Sequence, residues 1–511
     1  MRKAIITLIG LLLTFLPGIC REFEYTYEDQ TLTYTVISEE EKTVSVSAEE
    51  NTIPVVVVPS EVSDGDTQYT VTAVAPWGFY GSSYLRAITL PSSLKEIGAS
   101  AFYACPSLTG VNLPSSLEVI GSGAFLECSS LTDIALPSSL KELGASAFSN
   151  SGLGSIEIPG DVREIKPKTF YHCSRLYHVV LNDSLQKIGD DAFVGCGQGH
   201  SHGGWFWLNP VHVNFPETLT EIGDGAFASS GIMNADLPAS LLRIGKHAFE
   251  YCDSLHYVSI PPLIDKIEDY TFKCCALDSV TLPAGLREIG NNAFAGCGLL
   301  QNVRLPSSLG AIGESGFASC GFQNIQLPPS LRTIGKKAFW HNPLDSIIIP
   351  DSVRVIGAGA FSCPQVKFIH LPLAVDTIGE GAFNCRWNED TWENYLPKIN
   401  KVIYLASQPV EAPESIFTFE DYVRIELYAS EEGFERMDNV SPWNKFRKRM
   451  IYAETSSNGS IFQDISTDID IENPYEVYDL LGTKRGRSIT ALPTGVYILR
   501  QGNRTKKIHV N

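Results

Sequence analysis

Two histidines and three adjacent aromatic residues crowd into one short stretch of the chain, GQGHSHGGWFWLNP, and a third histidine follows just beyond it. His200, His202 and, just beyond, His212 are of the type that ligates transition metals, whose protein sites use nitrogen, sulfur or carboxylate ligands in sets of three or four. No cysteine or carboxylate is clearly placed with them. The stretch therefore reads as a polar loop with solvated histidines, and neither a metal nor another cofactor is expected. Trp205, Phe206 and Trp207 have two readings. They pack back on the body of the protein, or they form a platform for a protein or a glycan. The chain contains no G-x-S-x-G, H-E-x-x-H or phosphate-loop word, the spacings that nucleophilic, zinc and phosphoryl chemistry use. No pair of carboxylates is singled out by position as an acid–base couple, so a non-catalytic protein is expected.

Twelve cysteines are the other reactive residues. Most stand at one place in a repeating line: Cys105, Cys128, Cys173, Cys196, Cys252, Cys275, Cys297 and Cys320 each follow a phenylalanine by three. Ser151, Ser230 and Asn342 take that place elsewhere. A slot that accepts Cys, Ser or Asn suits a small buried turn-lining residue, and reduced structural thiols are expected. Bridges between adjacent units remain geometrically open.

The line itself is what positions everything else. Thirteen phenylalanines from Phe102 to Phe383 recur at 22 or 23 residues, with a single spacing of 34 between Phe193 and Phe227. A weaker copy precedes them at Phe79. Such a period specifies a solenoid, in which each unit buries its apolar face only against its neighbours. Each unit opens with L-x-x-V-x-L-P, as in Leu108 to Pro114, Leu131 to Pro137 and Leu255 to Pro261, whose alternation predicts a short strand with one buried face. It continues as L-x-x-I-G-x-x-A-F, as in Leu286 to Phe294, where the glycine permits a turn and the phenylalanine points inward from a short turn or 3-10 segment. About 14 rungs are expected, with the phenylalanines in one internal column. The extra residues between Phe193 and Phe227 are those of the histidine and tryptophan stretch.

If the central Val of each strand points inward, its flanking residues point outward. That exposes His178 and Val180, His212 and Asn214, Asn234 and Asp236, Tyr257 and Ser259, Ser279 and Thr281, Asn302 and Arg304, Asn324 and Gln326, Ser346 and Ile348, and Phe368 and His370 on successive rungs. This polar face with scattered aromatics suits hydrogen-bonded recognition of a protein or glycan, or it is an ordinary solvated face. The candidate ligand-binding residues are thus Trp205, Phe206, Trp207, His178, His212, Tyr257, Asn302, Arg304, Asn324 and Gln326. A further aromatic cluster, Trp387, Trp392 and Tyr395, is assigned to capping.

The first twenty residues read as a cleaved secretory signal: Arg2 and Lys3, an apolar run, then Gly18-Ile19-Cys20. Lipid attachment through Cys20 fits less well, because Ile19 is large. The run is shorter than the ~20 residues a spanning helix needs. Without this segment the net charge of −19 becomes −21, which argues against nucleic acid as a partner. The expected organisation is a signal peptide (1–20), an N-terminal β cap (21–70), the solenoid (71–405), a C-terminal cap (406–453), and a small β-sandwich-like module (454–511) after a polar linker.

The I-G-x-x-A-F-x-x-C word resembles the BspA-like type of leucine-rich repeat, over roughly residues 70–450. The resemblance implies a bacterial surface protein, adhesin-like towards extracellular proteins; a glycan-binding role in nutrient capture is the alternative. The segment with Pro442-Trp443-Asn444-Lys445-Phe446 is similar to the closing segment of such arrays, with Trp443 and Phe446 plugging the last rung. The tail words Tyr478-Asp479-Leu480-Leu481-Gly482, Leu492 to Ile498 and Lys506-Lys507-Ile508 resemble a type IX secretion sorting domain. That likeness implies export to the outer surface of a Gram-negative cell.

Overall fold

The computed structural model describes residues 21–48, 52–197, 201–202, 205–206, 211–384 and 398–452, and four strands beyond them. Residues 1–20, expected to be a signal peptide, the aromatic cluster of Trp387, Trp392 and Tyr395, and Cys20 and Cys385 lie outside the described residues. The chain divides into two compact units, residues 1–450 and 451–511.

The first unit is a mainly β solenoid of about 17 turns. The count exceeds the 14 expected because both end segments wind on as further turns. Val55–Val57 pairs in parallel with Ala87–Thr89 at the start, and Lys401–Ile403 with Glu426–Ala429 at the end. The cap at the N-terminal edge is an antiparallel set, Glu22–Tyr27, Gln30–Ser38 and Thr43–Ser47. Its last strand pairs in parallel with Thr67–Val74, which passes the ladder on to Glu96–Ile97.

Three hydrogen-bonded ladders run along the solenoid. The first uses the L-x-x-V-x-L segments, for example Tyr257–Ser259 on Ser279–Thr281. It is interrupted at residues 131–137, 301–306 and 323–327, where no strand forms. The alternation at these rungs is nevertheless kept: Leu131, Ile134, Leu300 and Leu305 are buried. Hydrophobic alternation dictates which side chains turn inward, and it does not dictate that each amide meets a ladder partner. The second ladder was not foreseen. It joins the two residues before each glycine, as in Glu288–Ile289 on Ala311–Ile312 and Thr333–Ile334 on Val355–Ile356.

The third ladder holds the phenylalanine segment. Residues two before and two after each column Phe from Phe79 to Phe339 adopt positive φ, as at Ser100 and Ala104 around Phe102, or Tyr270 and Cys274 around Phe272. The backbone thereby aligns alternate peptides along the solenoid axis. Ser100, Phe102 and Ala104 donate their N–H groups to Ser122, Ala124 and Leu126 of the next rung at 2.8–2.9 Å. This regular bonding is what holds side-chain-bearing residues in a backbone region they otherwise avoid.

Inside, fifteen phenylalanines from Phe79 to Phe417 stack in one column, with ring centroids 5.1–6.0 Å apart and planes within 21°. The 34-residue unit does not disturb it: Phe193 and Phe227 lie 5.1 Å apart. Phe417 joins the column another 34 residues after Phe383, so a second long unit exists there. The I-G-x-x-A-F word is missing before it, which is why the spacing was read as ending. Trp443 and Phe446 are buried at this end, and Phe446 meets Phe417 edge-on. A capping box on Thr418 and Asp421 starts the short helix Phe419–Arg424 beside them.

All ten described cysteines are free thiols. Nine of them donate to the carbonyl of the preceding rung's phenylalanine, as Cys297 Sγ does to Phe272 O at 3.1 Å and Cys128 Sγ to Phe102 O at 3.2 Å. Burial pushes the Cys297 thiol up to about 12, so it stays protonated and keeps its donor. Asn342 Nδ2 plays the same part towards Phe317 O at 2.7 Å. Ser151 and Ser230 in the same slot meet the next rung's Cys173 and Cys252 sulfurs at 3.3 and 3.7 Å, so the slot takes a short polar side chain, which Cys, Ser and Asn share. Cys297→Ser should cost about 1 kcal/mol or less, and Cys297→Val about 1–3 kcal/mol, because valine leaves the Phe272 carbonyl without that donor. Urea unfolding of the two variants checks the difference.

The described part of the second unit is one antiparallel sheet, in the order Lys484–Gly486, Glu476–Asp479, Gly495–Gln501, Arg504–Val510. Among the described residues no helix is long and apolar enough to cross a membrane.

Candidate functional site

The strand face presents most of its candidate side chains to solvent. His178, His212, Tyr257, Asn302, Arg304, Asn324 and Gln326 are all exposed, while the valines and isoleucines between them turn inward or are half-buried. Parallel register places His178 beside His212, and aligns Asn234, Tyr257 and Ser279 in a row. The candidates thus form two stretches. One is His178, His212 and Tyr257; the other is Asn302, Arg304, Asn324 and Gln326, with the small Ser279 and Thr281 between.

None of these seven side chains makes a hydrogen bond or ion pair with another described residue. The second ladder differs. There Lys141 pairs with Glu118 at 2.7 Å, Lys187 with Glu221 at 3.4 Å, Arg243 with Glu221 at 3.0 Å, and Lys336 with Glu314 at 2.9 Å. Each such exposed pair adds little stability, but it engages the charges of that face with one another. The donors and acceptors of these seven strand-face side chains have no partner among the described residues and stay open to a ligand.

His370 departs from expectation. It was placed outward beside Phe368, yet it is buried and neither ring nitrogen has a hydrogen-bond partner among the described residues. Its strand pairs with Lys401–Ile403, putting His370 opposite the buried Ile403. A face covered by the next element no longer follows the outward half of the alternation. Desolvation lowers the His370 pKa, which keeps the ring neutral, against a smaller opposing effect of Asp351.

In the inserted stretch, Ser201–His202 and Trp205–Phe206 pair as a short antiparallel hairpin. Their side chains, His200 and Trp207 lie outside what is described. Among the described residues no group of three or more histidine, cysteine, aspartate or glutamate side chains is arranged to hold a metal.

Reading the units for inward residues left one surface unread, the side chains that bracket each Phe. Trp77, Tyr80 and Tyr103 cluster there, with Trp77 5.2 Å from Tyr80 and 6.1 Å from Tyr103. Lys273 lies over Tyr251 and Tyr270, and Lys337 over Trp340. The signal was available in the residues two before and one after each Phe.

Stacked rungs with polar side chains open to solvent on one ladder define a repeat solenoid that works through its surface. The chain belongs to the BspA type leucine rich repeat region family, whose model matches residues 61–177, 96–201, 207–301 and 287–406. Repeat modules of this family serve protein binding and are typically non-catalytic. Among solved structures, a leucine-rich repeat protein from Bacteroides ovatus is 28% identical, covering 68% of this chain and 95% of that one, with a TM-score of 0.46. A leucine rich cell surface protein from Faecalibacterium prausnitzii is 24% identical over 75% of this chain and 94% of that one, with a TM-score of 0.44. The pneumococcal vaccine antigen PcpA is 18% identical over 84% and 99%, with a TM-score of 0.39. No curated protein matches the chain.

Proposed function

We propose that the protein is an exported cell-surface module that recognises extracellular proteins, in the manner of an adhesin, through the strand face. The observation that carries this reading is the set of seven exposed side chains, from His178 to Gln326, without hydrogen-bond or ion-pair partners among the described residues. Such groups give a partner hydrogen bonds at little desolvation cost, and Tyr and Arg are the types that most often dominate interface energies. Tyr257→Ala and Arg304→Ala should each weaken binding to an immobilised matrix-protein panel by about fivefold or more. Binding that is absent across the panel, or unchanged in both variants, sinks the proposal.

The tail words and the secretory start support export and attachment at the outer surface of a Gram-negative cell. Protease shaving of intact cells should release peptides from residues 70–450; a protein found only in the periplasm refutes this placement. A second reading, glycan capture, rests on the hairpin that carries Trp205 and Phe206. It requires that Trp205→Ala with Trp207→Ala abolish binding on a glycan array.

A further inference from the structure

One concavity of about 270 Å³ interrupts the surface that brackets the phenylalanine column, and it lies away from the strand face. Its cause is a run of small residues. The rungs of Phe294 and Phe317 carry Ala295, Gly296, Ala318 and Ser319 where the flanking rungs carry Lys273 on one side and Lys337 with Trp340 on the other. Those flanking rungs are three steps apart, about 14 Å at the usual strand spacing. Backbone bonds from Gly296 N to Ala318 O at 2.8 Å and from Ser319 N to Trp340 O at 2.7 Å fix the floor. The space is below the range of drug-sized pockets, and so of a size for a single small ring.

The chemistry of the walls is specific. Lys337 Nζ lies over the Trp340 ring, 5.4 Å from its centroid, so the cation covers part of one indole face and leaves the rest of the ring to a ligand. Lys337 has no carboxylate partner among the described residues, whereas Lys273 is engaged by Glu250 at 3.1 Å and neighbouring Lys336 by Glu314 at 2.9 Å. The side chains of Asn292, Ser315 and Ser319 line the space and make no hydrogen bond to other described residues. An ammonium without a carboxylate partner among the described residues is notable in a chain of net charge −19.

We infer that this cleft binds one carboxylated sugar ring, of the hexuronic or sialic acid class. The carboxylate meets Lys337, the C–H face of the ring lies against Trp340, and the ring hydroxyls bond Asn292, Ser315 and Ser319. A bare anion would leave the indole and the amide unused; a neutral sugar would leave the ammonium unpaired. The site is independent of the strand-face reading, and a failure to bind proteins does not touch it.

Saturation-transfer NMR on the intact protein tests it, with methyl β-D-glucuronide and the α-methyl glycoside of N-acetylneuraminic acid as probes and methyl β-D-glucoside as the neutral comparison. At least one acidic probe should bind tenfold or more tightly than the glucoside. Lys337→Gln and Trp340→Ala should each reduce that binding at least tenfold while leaving the circular dichroism spectrum unchanged, since both side chains lie outside the phenylalanine column. The inference is overturned if neither acidic probe binds, if the glucoside binds equally well, if either variant binds as the wild type does, or if sodium phosphate competes as effectively as the uronide, which would mark a bare anion patch.

Discussion

Phe272→Ala is expected to cost about 3–5 kcal/mol, with the damage confined to a few rungs. Phe272 is fully buried, and its ring stacks on Phe249 and Phe294 at 5.4 Å on each side. Its backbone cannot follow the missing side chain inward. Phe272 N–H donates to Ala293 O at 2.8 Å, and its carbonyl accepts from Cys297 at 3.1 Å. These bonds set the rung spacing independently of the ring, so the cavity stays open and the cost falls at the upper end of the range. Because each rung contacts only its neighbours, the loss is local. Hydrogen exchange should accelerate in the rungs of Phe249, Phe272 and Phe294 and stay unchanged around Phe102 and Phe125. Uniform acceleration along the solenoid would show instead that the array unfolds as one unit, and an unchanged melting profile would show that the column bears no stability.

Phe272 also shows what the sequence makes legible. A residue repeated every 22 or 23 positions occupies the same place in every turn, so the column and the inward Leu and Ile could be read directly. Exposure of Tyr257, Arg304 and Asn324 followed from the same alternation. The positive-φ positions were hidden because they hold Ser, Lys, Asp, His, Tyr and Asn more often than glycine. Their conformation is imposed by hydrogen bonds between rungs, a non-local cause that leaves no residue-type signature. For the same reason the Lys337 and Trp340 cleft was invisible: it exists through small residues on two adjacent rungs, 22 or 23 positions apart. His370 was misplaced because burial at the array's end depends on the strand that follows it. That the seven strand-face candidates lack partners among the described residues required knowing their neighbours.

The glycine of the I-G word is the residue for which sequence and structure give different reasons. It was expected to serve a turn, yet Gly98, Gly144, Gly245 and Gly357 all lie outside the positive-φ region. What they lack is room. A Cβ on Gly357 would sit 2.3 Å from Lys336 N and 2.5 Å from Gly335 C, both backbone atoms of the preceding rung. Gly144 and Gly245 are as tightly placed, 2.4 Å from Ser122 N and 2.5 Å from Asp224 N. Backbone in a ladder cannot move aside as a flexible side chain can, so the rungs must separate. Separation stretches the Gly357 N to Ile334 O bond of 2.8 Å and draws Phe361 away from Phe339, now 5.2 Å apart. Gly357→Ala should therefore destabilise the protein by about 3 kcal/mol, at or above the upper end of ordinary overpacking. Gly160→Ala supplies the contrast. It is exposed with nothing within 4 Å of its would-be Cβ, and alanine there should be neutral or stabilising by about 0.4–1 kcal/mol through the unfolded chain. Denaturant midpoints of the two variants should move in opposite directions, or only the first should move. Equal midpoints would mean that the rungs have slack at the glycine, and that close backbone approach is not what fixes the period of the solenoid.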